Sequence, residues 1–388
     1  MQNWLLPEYI EDVLPRDAWH MEQVRRKLLD LFRSHGYEFV IPPMLEYLES
    51  LLTGTGHDMD LDTFKLVDQL SGRLMGIRAD ITPQAARIDA HLLNRQGVTR
   101  LCYAGSVLHT LPAGMMQTRE PIQVGVELYG HAGIEADLEI HRLLLKAFEF
   151  AGLDSVHLDI GHMGIFRALV EKAGVGGDME SSLFNALQAK DRPTLDEMTR
   201  DMAADVREAL LTLPELYGDT EVLDEAARRL PANPLIARAL QDLRVLSQSL
   251  DKSAADICFD LSDLRGYHYH SGVVFAAYAA GHPNAIGLGG RYDEVGKAFG
   301  RARSATGFSI DLRALSRIVS VQPGNGAIIA PYNSDVSLQA TIESLRLRGE
   351  IVIVDLPGHD AHREELGCNR ILVKNEDRWE VVPIEKSN

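Results

Sequence analysis

Apolar and polar residues alternate along the chain with two different periods. Between Asp17 and His35, Val24, Leu28, Leu31 and Phe32 recur at three- and four-residue spacing, which predicts a helix ended by Gly36. Tyr37–Ile41 then reads as a strand closed by Pro42-Pro43. Thr82-Pro83 sets a capping side chain before a proline suited to a first helical turn, so a helix is expected to about Leu93. Over Arg119–Tyr129 the period shortens to two: Ile122, Val124, Val126 and Leu128 alternate with Gln123, Gly125 and Glu127. Glu135–Ala151 is helical again, with Leu138, Leu145 and Phe148 on one face, and Val156–Gly161 is a strand.

From Gly174 to about Ser253 strand signals vanish. Ala, Leu, Asp, Glu and Arg dominate, and several short helices are expected, forming a helical insertion. Strands return at Ile257–Leu261 and Gly272–Tyr278. Gly287-Leu-Gly-Gly290 reads as a glycine-rich turn leading into Arg291-Tyr292-Asp293, and Gly307–Ser316 as a short strand entering a helix. Gln322-Pro-Gly-Asn-Gly326 has linker composition. Beyond it come an apolar run (Ala327–Ala330), a helix (Ser337–Arg348), a β-branched run (Ile351–Asp355) and two strands (Arg370–Lys374, Trp379–Pro383). This division predicts a large domain over residues 1–321 and a small C-terminal α/β domain over 322–388.

The chain has 388 residues, 45% apolar and 24% charged, an ordinary globular composition that excludes bulk disorder. Its formal net charge of −17 repels phosphate backbones and argues against a general nucleic-acid-coating role. Cys102, Cys258 and Cys368 lie far apart with no CxxC, so neither a structural zinc site nor a disulfide framework is expected, and a reduced, cytoplasmic setting fits. Met1–Pro15 carries Glu8, Glu11 and Asp12 and no positive start, unlike a signal peptide. No apolar run approaches a membrane span.

Candidate chemistry lies in five places. Strand periodicity puts Gln123, Gly125 and Glu127 on one face, where an amide and a carboxylate flank a cleared space that suits a small polar ligand such as an α-amino group. The same pattern also describes the solvated face of an edge strand. Asp80 and Thr82 sit just before a helix, and capping alone accounts for both. In Asp263-Leu-Arg265-Gly-Tyr267-His268-Tyr269-His270 two histidines share a face if extended. No third ligand at suitable spacing is evident, so cavity-lining aromatics and imidazoles are favoured over a metal. Gly287-Leu-Gly-Gly-Arg-Tyr-Asp293 fits neither a dinucleotide fingerprint nor a P-loop. Ala305–Arg313 by itself says only strand to helix. HExxH and GxSxG are absent, so the hydrolase templates fail.

The order of these motifs is more specific than any one of them. A strand ending at Pro42, then Arg78-x-Asp80-x-Thr82, Arg119-x3-Gln123-x-Gly-x-Glu127, Arg265-Gly-x-x-Tyr269, Gly289-Gly-Arg-Tyr-Asp293 and Gly307-Phe308 resembles the class II catalytic core of histidyl-tRNA synthetase over roughly residues 5–320. The resemblance implies an α+β fold: an antiparallel sheet flanked by helices, with the helical insertion and the Pro42 motif at a homodimer interface. It also implies a histidine pocket formed by Asp80, Thr82, Gln123, Glu127, Arg265 and Tyr269, with Arg119, Tyr267, His268 and His270 as further lining.

The departures from that pattern redirect its function. Adenylation needs fixed cations on the phosphates. Where the synthetase pattern supplies arginines, this chain reads His109 and Ala314; Leu111 replaces an acidic neighbour, and Arg313 a glutamate. The stretch beyond Leu315 is also short for an anticodon-binding domain. A histidine pocket kept without its ATP grip looks like the ATP phosphoribosyltransferase regulatory subunit family, the HisZ type. That resemblance implies a non-catalytic protein with no cofactor, no metal, no tRNA and no catalytic residue of its own. It would join a short-form catalytic subunit in a hetero-octamer for the first step of L-histidine biosynthesis and confer feedback inhibition by histidine. The alternative is a synthetase-like enzyme that activates histidine for tRNA or another acceptor.

Overall fold

The computed structural model describes residues 5–384 apart from 55–56, 113, 115–116, 154, 251–254, 268, 321–325 and 359–364. Most of the linker composition at 322–326, and His268, lie outside the described residues. The chain divides into two compact units, Met1–Ser320 and Val321–Asn388.

In chain order the strands of the first unit are β1 (Glu38–Phe39), β2 (Leu45–Tyr47), β3 (Phe64–Val67), β4 (Leu74–Ile77), β5 (Thr99–Ser106) and β6 (Ile122–Tyr129). They continue with β7 (Val156–His162), β8 (Tyr217–Gly218), β9 (Asp256–Asp260), β10 (Val273–Ala279), β11 (Gly287–Arg291) and β12 (Ala305–Asp311). Among the described residues nine of them form one sheet in the order β1-β5-β6-β12-β11-β10-β7-β9-β8, and β2-β4-β3 form a small second sheet. The large sheet is antiparallel at its centre and parallel at β1–β5 and β7–β9.

The strand with the clearest two-residue period, β6, is not an edge. It lies between β5 and β12 and is paired along its whole length. Its apolar face (Val124, Val126, Leu128) joins the main core with Val24, Leu28 and Phe32 of the helix Pro15–Ser34 and Ile140, Leu144 and Phe148 of the helix Ile134–Ala151. Its other face, with Gln123, Gly125 and Glu127, is covered as well. The helix that begins at Thr82 runs to Arg87 and continues as a π-turn over Ile88–Leu93, and Ala86 and Ala90 pack there with Leu101, Tyr129 and Tyr292.

Two expectations need correction. The segment after Gly174 is mostly helical but contains the two-residue strand β8, which closes the sheet edge against β9. Gly287–Gly290 is not a turn but most of β11, laddered on both sides by β10 and β12, and none of its glycines has a positive φ. The glycines are there for room. A Cβ on Gly290 would meet the His270 ring, one on Gly307 of β12 would meet the Glu127 carboxylate, and one on Gly289 would meet the Phe275 ring and the Gly307 carbonyl. The end of β11 is tied down by Arg291, which donates to buried Asp137 from Nη2 at 2.6 Å and Nε at 3.0 Å, and to the Gly133 carbonyl at 3.0 Å. The strands Thr99–Ser106 and Leu45–Tyr47 had no expectation from sequence.

The second unit contains β13 (Ala327–Pro331), the helix Val336–Leu347, β14 (Val352–Asp355), β15 (Cys368–Asn375) and β16 (Arg378–Pro383). Its sheet order is β14-β13-β15-β16; β13 is parallel to both neighbours, and β15 and β16 form a hairpin. Ile328, Leu338, Ile342, Val352 and Leu372 make its core. Among the described residues no helix is long and apolar enough to cross a membrane.

Because neither the Phe275 ring nor a laddered carbonyl can withdraw, Gly289→Val is expected to lower the unfolding free energy of the first unit by about 1–3 kcal/mol. Urea denaturation of the variant against the parent chain measures this, and equal midpoints would refute the packing argument.

Candidate functional site

Four elements meet above the central strands: β6 and β12 from the sheet, the approach to the helix at Thr82, and the β9–β10 connection. They enclose a cavity of about 310 Å³ lined by Asp80, Thr82, Gln123, Glu127, Arg265 and Tyr269. His109, Asp263, His270 and Tyr292 also line it. The six residues that the motif order singled out therefore converge on one space.

Glu127 is the innermost. It is 1% exposed, and its register partner across β12 is Gly307, which leaves its carboxylate room. Its Oε1 accepts from the Tyr103 hydroxyl at 2.9 Å and its Oε2 from the Tyr292 hydroxyl. Burial outweighs these two donors and pushes the carboxyl up to about 8, with the Asp80 charge adding to the rise. Around neutral pH the Glu127 carboxyl therefore keeps its proton.

Asp80 is held by neighbours. Its Oδ1 accepts from the Thr82 backbone N–H at 3.0 Å, the Thr82 hydroxyl at 3.1 Å and Gln123 Nε2 at 2.8 Å. Gln123 Oε1 in turn accepts from the Ile81 N–H at 2.9 Å. Both ends of the Gln123 amide are therefore engaged in holding the Asp80 turn, a positioning role in place of the direct grip expected from the strand pattern. The Thr82 hydroxyl lies 3.1 Å from the Tyr103 hydroxyl, so the polar contacts of Asp80 and those of Glu127 adjoin.

Arg265 reaches the cavity from the β9–β10 connection. It pairs with Asp263 at 2.8 Å and donates to the Tyr278 hydroxyl at 2.5 Å. It is the one cation among the described lining residues, against Asp62, Asp80, Glu127 and Asp263. Two buried polar atoms beside it have no protein partner among the described residues, the Tyr269 hydroxyl and His270 Nδ1. Burial lowers the His270 imidazole to about 4, so it is neutral.

Of the further lining expected, His270 is in place, and His268 lies outside the described residues. Arg119 does not line the cavity: its guanidinium lies over the Phe64 ring and donates to the His109 carbonyl at 3.1 Å. Tyr267 turns the other way. Its ring packs between Phe166 and Phe184 and its hydroxyl donates to Glu180, because the helix Asp178–Gln188 covers that side of the loop. The positions that depart from the phosphate-gripping pattern are occupied with structural work. His109 Nε2 donates to the Ala79 carbonyl at 3.0 Å. Arg313 is buried and turns to the Glu120 carboxylate (3.4 Å) and the Glu11 carbonyl (3.4 Å), and Ala314 is buried in the first turn of a helix capped by Asp311. Sequence reasoning missed Tyr103 and gave Tyr292 no role. The alternation Leu101-Cys102-Tyr103 on β5 was the available signal.

A family model described as histidyl-tRNA synthetase matches residues 9–315, and one described as the ATP phosphoribosyltransferase subunit HisZ C-terminal domain matches residues 325–382. Proteins named ATP phosphoribosyltransferase regulatory subunit are similar over the whole chain. That of Methylobacillus flagellatus is 58% identical over 98% of this chain and 99% of its own. That of Cupriavidus necator is 59% identical over 98% and 99%. Among solved structures, an ATP phosphoribosyltransferase regulatory subunit/histidyl-tRNA synthetase from Bacillus halodurans superposes with a TM-score of 0.83 at 27% identity, covering 96% of this chain and 98% of that one. Histidyl-tRNA synthetase from Nostoc sp. PCC 7120 shares the fold with a TM-score of 0.77 at 18% identity over 96% and 92%.

The buried Glu127 carboxyl carries a pH signature. Its folded value of about 8 lies above its ordinary value of 4.5, so the folded state holds the proton longer. Its ionisation therefore costs nothing below about pH 4.5 and costs increasingly as pH rises toward 8, at roughly 1.4 kcal/mol per unit of displacement. Glu127→Gln, which mimics the protonated group, is expected to match the parent melting temperature near pH 4.5 and exceed it by several degrees at pH 8.5. Parallel melting curves across that range would refute the assignment.

Proposed function

The chain belongs to the ATP phosphoribosyltransferase regulatory subunit family, built on a histidyl-tRNA synthetase-like core, and from this we propose that its cavity senses histidine instead of activating it. The protein is a regulatory, non-catalytic subunit of ATP phosphoribosyltransferase and serves histidine biosynthesis. The observation that carries the sensing role is the charge of the cavity: among the described lining residues the aspartates Asp62, Asp80 and Asp263 and the buried acid Glu127 face one arginine, itself paired with Asp263. A triphosphate there would meet repulsion where adenylation requires fixed cations. A free amino acid meets what it needs.

The α-ammonium of histidine is placed against Asp80 and Glu127, and the α-carboxylate against Arg265. The imidazole is placed beside Tyr269 and His270, and the Tyr269 hydroxyl, which has no hydrogen-bond partner among the described residues, supports this. The neutral His270 ring accepts from the ligand N–H, and Tyr269 donates to its other nitrogen. Thr82 and Gln123 hold Asp80 in position. Feedback then requires that histidine bind more tightly to the inhibited state of the assembly than to the active one.

The partner is a short-form catalytic ATP phosphoribosyltransferase subunit in a hetero-octamer, with this chain dimerising through its first unit. Exposed Ile41, Met44, Leu45 and Tyr47, next to the Pro42 carbonyl that Arg78 holds at 2.8 Å, support that face. The cavity belongs to the larger domain (1–321), which is followed by the small C-terminal α/β domain (322–388). No tRNA is bound, in keeping with the net charge of −17, and the setting is cytoplasmic.

Calorimetry should find one histidine per chain, with affinity rising up to tenfold from pH 7 to 8 as less of the binding energy goes to displacing the Glu127 proton. Glu127→Ala should weaken binding at least 100-fold. Co-expressed with a short-form catalytic subunit, the chain should form a complex whose activity histidine suppresses, and alone it should show no histidine-dependent ATP–pyrophosphate exchange. Exchange activity, or histidine affinity unchanged in Glu127→Ala, would overturn this reading.

A further inference from the structure

At its β7–β9 edge the large sheet presents a second cluster of reactive side chains. β7 and β9 run parallel with His157 opposite Asp256 and Asp159 opposite Cys258. Residues two apart on a strand share a face, so all four side chains stand on one side, while Leu158, Ile160, Ile257 and Phe259 enter the core on the other. One ligand atom each from His157, Asp159 and Cys258 lies within 4.8 Å of the other two. A tetrahedral zinc-type centre, with bonds of about 2.0–2.3 Å, holds its ligand atoms roughly 3.5 Å apart, so small rotamer adjustments close the set.

The histidine also carries the support that metal-bound imidazoles usually have. His157 Nδ1 lies 2.9 Å from Asp256 Oδ2, and Nε2 lies 2.9 Å from Asp159 Oδ1. A neutral imidazole donates from one nitrogen only, so one of these contacts sets a lone pair against a carboxylate unless a cation lies between. A proton on the ring is one solution. A metal ion on Nε2, with Nδ1–H donating to Asp256, is the other, and it reproduces a carboxylate–histidine–metal arrangement.

We propose that His157, Asp159 and Cys258 bind one divalent transition-metal ion of zinc-like preference, with Asp256 orienting the imidazole and water completing the shell. An imidazole, a carboxylate and a thiolate suit Zn²⁺ or Co²⁺ and not Mg²⁺ or Ca²⁺, which prefer oxygen throughout. The cluster is distinct from the cavity yet close to its arginine: Tyr278, opposite His157 on β10, accepts from Arg265. Other groups near it are Tyr217, which reaches the Cys258 thiol, Asp219, whose charge acts on that thiol, and Asp260, which Lys190 pairs at 3.0 Å. Coordination by Cys258 displaces its thiol proton, so affinity rises with pH. The wide separation of the three cysteines in sequence pointed away from any metal. Strand pairing places one of them beside a histidine and an aspartate from a strand about a hundred residues earlier.

The test uses the full chain, stripped with chelator and free of added histidine, titrated first with Co²⁺ and then with Zn²⁺. One Co²⁺ per chain is expected, with a thiolate-to-cobalt absorption band that Zn²⁺ abolishes. Cys258→Ser should remove the band, and Cys368→Ser should leave it. Asp256→Asn, at an exposed position where folding is not at risk, should weaken Co²⁺ about 10- to 100-fold. The absence of a thiolate band in the parent chain, or its survival in Cys258→Ser, would overturn the proposal.

Discussion

A carboxylate lies out of water at the centre of the sheet, and much of the surrounding architecture serves to keep it there. Glu127 can sit inside because Gly307 faces it across β12 and because Tyr103 from β5 and Tyr292 beyond β11 each donate to one of its oxygens. Those partners come from strands on both sides, so the site exists only when β5, β6, β12 and β11 are laddered in register. Two hydroxyls do not offset the full desolvation of a carboxylate, and its affinity for a proton rises accordingly.

The same scaffold accommodates different chemistry according to where its cations sit. The fold is shared with a histidyl-tRNA synthetase at 18% identity, so it tolerates nearly complete replacement of side chains. In this chain His109 supports the Ala79 turn and Ala314 packs into the main core from a helix, while Arg313 is held among acidic neighbours away from the cavity. Each of these positions has a structural task that leaves no positive charge facing the cavity. What remains, among the described lining residues, is a set of acidic side chains with a single arginine.

Much of this was legible in the residues. The two-residue period over Ile122–Leu128 identified β6 and the face that carries Gln123 and Glu127, and Thr82-Pro83 marked the start of the covering helix. The ordered motifs brought six residues to one cavity. Other features were not legible. Gly287–Gly290 reads as a turn because glycine is the commonest turn residue. It forms a strand because β10 and β12 ladder it on both sides, and its glycines serve Phe148, Phe275 and His270, which need the space that a Cβ would fill and are not adjacent in sequence. Tyr267 and Tyr269 are two residues apart in one loop, yet only the packing of the helix Asp178–Gln188 sends the first away from the cavity.

The linear order of residues by itself determined the local periods, the helix starts and the inventory of carboxylates, hydroxyls and arginines, because these depend on neighbours within a few positions. It also determined what was missing, since an absent arginine is visible without any structure. The tertiary structure alone decided which of these groups share a space and in what state. The proton affinity of Glu127, the engagement of Gln123 with Asp80, and the meeting of His157, Asp159 and Cys258 all arise from contacts between distant strands and from exclusion of water. Burial and strand register are properties of the whole fold, and no local pattern of residues encodes them.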